Sequence, residues 1–200
     1  MYRFPQLKPK NKLSRVAVLT SGGDAPGMNA AIRALVRAGD DEGIEVIGIY
    51  RGFSGLVEGD IRPLSSASVA NILHRGGTCL KSDRCAEFHY PAVRKKAAET
   101  LREMAIDALV VIGGDGSLTG AHLFQQETGF AVIGIPGTID NDITGTEDTI
   151  GFDAFTEPVR AIFHAFVDTD GPAFLASPAH PRLVDGKPST NPRYLQNRPD

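Results

Sequence analysis

Continuous apolar runs that each end in a glycine-rich turn constrain this chain more than any other feature. Residues 107–112, Asp-Ala-Leu-Val-Val-Ile, pass straight into Gly113-Gly-Asp-Gly-Ser117, and residues 131–135 pass into Pro136-Gly-Thr-Ile-Asp-Asn-Asp142. Val16-Ala-Val-Leu19 leads, after Thr20, into Ser21-Gly-Gly-Asp-Ala-Pro-Gly27. A strand that is apolar throughout, rather than alternating, is one covered on both faces. The first two runs therefore predict buried strands. Residues 45–50 add a further strand, and residues 51–55 read as a loop.

Between the strands the apolar period changes to that of a helix. Ala30, Ala31, Ala34, Leu35 and Ala38 recur at helical spacing over residues 28–38. Residues 67–73 predict a short helix that stops at Arg75-Gly-Gly77. Residues 91–104 predict a longer one with Pro91 at the first helical position, where a missing N–H is harmless. Another runs from the 113–117 turn through about Gln126. Strands alternating with helices give an α/β fold: a doubly wound, mostly parallel sheet with helices on both faces. Pro158 stands near the start of one more helical stretch, residues 157–166, where it is tolerable.

At 200 residues with 42% apolar content, the chain is long enough for a core without staples. The formal charge of −3 leaves no basic footprint for nucleic acid. Cys79 and Cys85 have no zinc-finger spacing and read as reduced thiols of a cytoplasmic protein. No apolar run approaches the ~20 residues of a membrane span, and residues 1–15 lack the apolar centre of a secretory signal. Residues 1–14 read as a solvated lead-in and residues 15–169 as the α/β domain. Six of the 13 prolines fall in residues 171–200. Residues 170–200 therefore predict an irregular, disordered, Pro-rich tail.

The turns carry the chemistry. Glycine lets backbone N–H groups approach a phosphate, and a following helix N-terminus favours the anion. Ser21-Gly-Gly-Asp-Ala-Pro-Gly27 is neither GxGxxG nor a Walker loop, and alone it reads equally as a tight strand–helix turn. Two such turns at adjacent strand ends point to a nucleotide site. Asp115, between Gly114 and Gly116, is open to a hard cation such as Mg²⁺, which takes one or two carboxylates plus phosphate oxygens. Ser117 reads as a helix cap.

Asp140 and Asp142 point the same way if the loop is extended, and like charges held close favour a carboxylate that works as a base. The alternative is a pair of Asx turns. Arg75 and Arg84 flank Gly76-Gly77-Thr78 and read either as groups that reach phosphate oxygens or as solvated surface charges; Arg33 and Arg37, one helical turn apart, form a small basic face that reads either as a ligand contact or as a solvated face.

In this order, these motifs closely resemble the phosphofructokinase family. The match runs from Val16 through Met28-Asn-Ala-Ala-Ile-Arg33, Arg75-Gly-Gly-Thr78, Gly113-Gly-Asp-Gly-Ser117 and Pro136-Gly-Thr-Ile-Asp-Asn-Asp142 to Thr149-Ile-Gly-Phe152. The GGDG element alone also fits NAD kinases and diacylglycerol kinases, but residues 138–142 separate them.

The resemblance implies transfer of the ATP γ-phosphate to the 1-hydroxyl of fructose 6-phosphate. It makes Asp140 the base, with Thr138 and Ile139 at the sugar and Asp115 on Mg²⁺. Gly23, Arg84, Cys85, Gly114, Asp115, Gly116 and Ser117 would line the ATP site, and Arg84 would also stabilise the moving phosphoryl group. Pyrophosphate-using members carry Asp at the position of Gly116 and Lys at that of Gly137. Glycine at both implies ATP, by leaving room for the α-phosphate and nucleoside.

Arg33 and Arg37 match effector-binding positions of bacterial relatives, where Ser66 replaces an arginine. The family also implies a homotetramer. The match fades after Phe152 and ends near Thr169, with no Met-Gly-Arg and no second set of strands and helices. The resemblance therefore implies a phosphofructokinase truncated or frame-altered after about residues 155–170. The alternatives are a catalytically incomplete Mg·ATP-binding fragment, a pyrophosphate-dependent enzyme, or an NAD-kinase-like enzyme.

Overall fold

A computed structural model describes residues 13–156. The tail at residues 170–200, the helix predicted at 157–166 and most of the lead-in lie outside the described residues. Five strands form one sheet in the order β3-β2-β1-β4-β5. The strands are β1 (Arg15–Ser21), β2 (Glu45–Ile49), β3 (Ile61–Leu64), β4 (Ala108–Gly113) and β5 (Ala131–Pro136). All neighbours pair in parallel except β2 with β3. The helices are α1 (Met28–Glu42), α2 (Gly52–Glu58), α3 (Pro91–Glu103) and α4 (Asp115–Thr128). Residues 150–156 are helical as well.

The two faces of the sheet bury separate cores. On one, Met28, Ile32 and Val36 of α1 meet Val16, Val18, Val110 and Ile112. On the other, Phe53 and Leu56 of α2, Ala97, Ala98 and Leu101 of α3, and Phe124 of α4 meet Leu19, Leu109 and Val111. Alternate residues of β1 and β4 thus enter opposite cores, which is why neither strand carries a polar face. Gly39 of α1 allows close helix–strand contact: an added Cβ would lie 2.6 Å from Val46 Cγ2 and 2.8 Å from the Ile44 carbonyl oxygen.

Three local expectations are corrected, and one strand, β3, is added. Residues 52–55 open a helix, α2, with Arg51 before it as the N-cap, because Phe53 and Leu56 are one turn apart and both buried. Residues 67–73 form turns instead of a helix. The Ser68 hydroxyl accepts the Ser65 N–H at 2.8 Å and donates to the Ser65 carbonyl at 2.7 Å, which offers the backbone a local alternative to helix bonds. β3 has no strand pattern in the sequence because Pro63 interrupts its four residues, a position proline tolerates on an edge. Finally, β5 is not buried on both faces. Among the described residues it pairs only with β4, and Ile133 is 54% exposed.

Candidate functional site

Sheet register builds the site. Ser21 pairs with Gly113 and Gly113 with Pro136, so β1, β4 and β5 end in one row. The chain leaves β1 through α1 toward β2, and leaves β4 through α4 toward β5. The strand order therefore reverses between β1 and β4. In an open α/β sheet, the crevice outside such a reversal is where ligands bind.

The first two turns interlock across this crevice. Gly22 has φ +85°, a conformation that suits glycine, and a Cβ there would lie 3.2 Å from Ser117 Oγ. Gly113 has no room for a side chain: its Cβ would sit 2.6 Å from the Ser21 carbonyl oxygen and 2.8 Å from Ser117 Cβ. Ser117 is buried between the two turns, and no side chain caps α4, whose N-cap is Gly114. The expected Ser117 cap is thus replaced by a packing role. Gly23, Asp115 and Gly116 are exposed at the crevice.

Asp115 stands in the first turn of α4, where a negative charge is favoured by the exposed N–H groups. Among the described residues no three His, Cys, Asp or Glu side chains converge to hold a metal. A single accessible carboxylate fits Mg²⁺ carried on phosphate oxygens, and it does not fit a protein-caged ion.

The third turn is braced from behind. The Gly137 N–H donates to the Gly113 carbonyl at 2.9 Å, and a Cβ on Gly114 would lie 3.8 Å from Thr138 Cβ. The Thr138 carbonyl accepts the Phe152 N–H at 3.0 Å and the Thr149 hydroxyl. The Thr138 hydroxyl accepts the Asp140 N–H at 3.1 Å and keeps its own proton to donate. The bracing by Thr149 and Phe152 has no spacing signal in the sequence, because it depends on the chain returning 11 residues later.

Asp140, Asp142 and Ile139 are exposed, while Asn141 is buried with φ 50°. The loop is therefore kinked at Asn141, and the two-residue alternation expected for an extended loop does not apply to Asp140 and Asp142. The Asn141 side chain donates to the Glu147 carbonyl at 2.9 Å, closing the loop that follows.

Arg84 is exposed, and its guanidinium forms no ion pair among the described residues. Cys85 is half-buried, directly before a single 3-10 turn at Ala86–His89. Both cysteines are free thiols, and burial pushes the Cys79 thiol pKa up. Arg33 and Arg37 lie on α1, half-buried and exposed respectively, and Ser66 donates to the Asp40 carboxylate near the end of the same helix.

The two donor-type glycines differ in their surroundings. A Cβ on Gly116 meets nothing within 4 Å, so it opens onto free space as expected. Gly137 is buried, and its Cβ would sit 3.1 Å from Ile112 Cγ2 and from Met28 Cε. Its smallness serves packing beneath the turn; the space expected there for a donor is filled by protein.

Among the described residues, no helix is long and apolar enough to cross a membrane. Residues 15–169 match the phosphofructokinase family. The ATP-dependent 6-phosphofructokinase of Actinobacillus succinogenes is 57% identical over 159 residues, covering 80% of this chain and 50% of that protein. The enzyme of the same name from Clostridium novyi is 55% identical over 157 residues, 78% of this chain and 49% of the relative. The solved structure of Pichia pastoris phosphofructokinase in the T-state superposes with a TM-score of 0.69 at 37% identity, covering 82% of this chain and 20% of that one. The chain spans about half the length of the curated relatives it matches. It belongs to the phosphofructokinase family.

Proposed function

We propose that this chain binds Mg·ATP in the crevice between β1 and β4 and takes part in transfer of its γ-phosphoryl group to the 1-hydroxyl of fructose 6-phosphate, giving fructose 1,6-bisphosphate. The observation that carries the reading is the 57% identity to a protein named ATP-dependent 6-phosphofructokinase. The row of strand ends supports it, because it gathers the three turns that the reaction would need.

Phosphoryl transfer asks for positioning and charge neutralisation more than for covalent chemistry. Gly23, Gly114, Gly116 and Ser117 would present backbone and a compact surface to the phosphates, with Arg84 and Cys85 along the nucleotide. Arg84 would also balance charge on the moving group. Asp115 would hold Mg²⁺, which supplies charge neutralisation across the phosphate oxygens.

Asp140, exposed at the turn, would take the proton of the sugar hydroxyl as that oxygen attacks. The free proton of the Thr138 hydroxyl would be donated to the transferring group, with Thr138 and Ile139 flanking the sugar. Arg33 and Arg37 would face an effector. A homotetramer and a cytoplasmic location accompany the reading.

A coupled assay for fructose 1,6-bisphosphate on the 200-residue chain, beside Asp140→Ala, tests this. Turnover that falls by at least about a hundredfold in the variant is the expected result. Absence of turnover in both, with ATP still bound by calorimetry, favours the second reading: a nucleotide-holding chain that lacks catalysis. The half-length match to the relatives is the observation behind that alternative.

A further inference from the structure

Residues 75–81 lead into Arg84, and they are fastened to the two ends of the first glycine turn by buried polar side chains that the proposed reaction does not use. At one end is Asn29, in the first turn of α1 and 3% exposed. Its carboxamide uses both of its ends: Nδ2 donates to the Arg75 carbonyl at 3.0 Å, and Oδ1 accepts the Cys79 N–H at 2.7 Å. At the other end is Thr20 of β1, fully buried, which donates to the Lys81 carbonyl at 2.8 Å and lies 3.0 Å from the Thr78 hydroxyl. The proton inventory sets the direction. Thr20 spends its only proton on Lys81, so Thr78 must donate to Thr20, while the Thr78 oxygen accepts the Leu80 N–H at 3.2 Å.

Between Thr20 and Asn29 lies the whole of the 21–27 turn. At its tip, the Asp24 carboxylate fills the place where a Cβ on Gly77 would project. The loop thus touches the turn at its start, its tip and its end. Such an attachment ties the position of the 75–81 loop to that of the glycine turn. Each clamp also satisfies a main-chain group that would otherwise need water.

We propose that Asn29 and Thr20 are positioning residues for the nucleotide site. By holding residues 75–81 to the glycine turn, they set where Arg84 and Cys85 stand relative to Gly23 and Gly114. The inference rests on the functional reading above, in which that crevice takes Mg·ATP. Neither side chain touches the nucleotide. Each acts through the loop, and loss of either leaves a carbonyl or N–H unpaired and lets the loop lift toward solvent.

The test uses the full 200-residue chain carrying Thr20→Val, Thr20→Ser or Asn29→Leu. Two quantities are read well below the thermal midpoint of each variant: the dissociation constant of Mg·ATP by calorimetry, and the alkylation rate of Cys79 by peptide mass spectrometry, referred to the rate in a urea-unfolded aliquot of the same variant. Asn29→Leu and Thr20→Val are expected to weaken Mg·ATP binding about tenfold and to speed Cys79 alkylation by a similar factor. Thr20→Ser keeps the hydroxyl and is expected to restore both.

A purely structural role would lower the thermal midpoint and leave the affinity of the folded protein unchanged; that result overturns the inference. Thr20→Val is nearly isosteric, so the question stands even if Asn29→Leu does not fold. If the unmodified chain binds no Mg·ATP, the functional reading falls and the positioning role falls with it. Unmodified chain that binds, with variants that bind equally well, overturns the positioning role alone.

Discussion

Gly116 and Gly151 make opposite demands on a substitution. Gly116 opens onto free space in the first turn of α4, where a carboxylate suits the helix end. Gly116→Asp is expected to change stability by no more than about 0.5 kcal/mol, yet to weaken ATP binding at least about tenfold by setting a second charge against the phosphates. Urea unfolding and calorimetry on one preparation separate the two effects. Gly151→Ala should do the reverse. Its methyl would lie 2.8 Å from the Thr138 carbonyl carbon and oxygen, and backbone cannot turn aside as a side chain can. A loss of about 1–3 kcal/mol is expected in the urea titration, with turnover falling because Thr138 is displaced.

Elements were legible in proportion to how much of their identity lay in local pattern. β1, β2, β4 and α1, α3, α4 follow from unbroken apolar runs and helical spacing. The turns of the site follow from glycines placed directly after strands. Other features were not legible, for physical reasons. Serine side chains undo the helix at 67–73 through bonds of their own. The exposed face of β5 depends on which elements lie beside it, and its composition does not report that. The kink at Asn141 is a backbone conformation that breaks the two-residue alternation of an extended loop, so Asp140 and Asp142 do not follow it.

A further feature with no sequence signature is the tie between α3 and α4. Arg94, 4% exposed, grips both oxygens of Glu127 at 2.6 Å and donates to the Phe88 carbonyl at 2.6 Å. Phe88 stacks on Phe53 with ring centroids 4.0 Å apart, so this tie also anchors the turn that follows Arg84 and Cys85. Hydrogen bonds from Arg94 hold the Glu127 carboxyl below its usual range. The unfolded chain therefore takes up this proton first as acid is added. The stabilisation is complete above the ordinary carboxylate range and is lost as pH falls through the lowered folded value. In Glu127→Gln, the drop in thermal midpoint between about pH 6 and about pH 3 should be smaller than in the unmodified chain. An equal drop would assign the acid sensitivity elsewhere, with Asp107 the next candidate because the Ser14 and Arg15 N–H groups lower its pKa.

Across the whole molecule, protection should follow depth in the sheet. β1 and β4 are buried on both faces, whereas β3 and β5 are edges among the described residues. Amide exchange should be slowest in β1 and β4 and faster by at least about tenfold in β5. Uniform protection across the sheet would contradict this order.

The pairing of β1 with β4 also carries a consequence for synthesis. Asp107 accepts the Ser14 and Arg15 N–H groups from 93 and 92 residues earlier in the chain, and the strands then zip together to Ser21 and Gly113. The first glycine turn leaves the ribosome early and waits, because its opposite wall is not made until β4 and the start of α4 have emerged. Closing so long a loop is slow compared with forming α1 or α3. Nucleotide added to a growing chain should therefore find no crevice before that closure. On the proposed function, nucleotide bound after closure would favour the closed form.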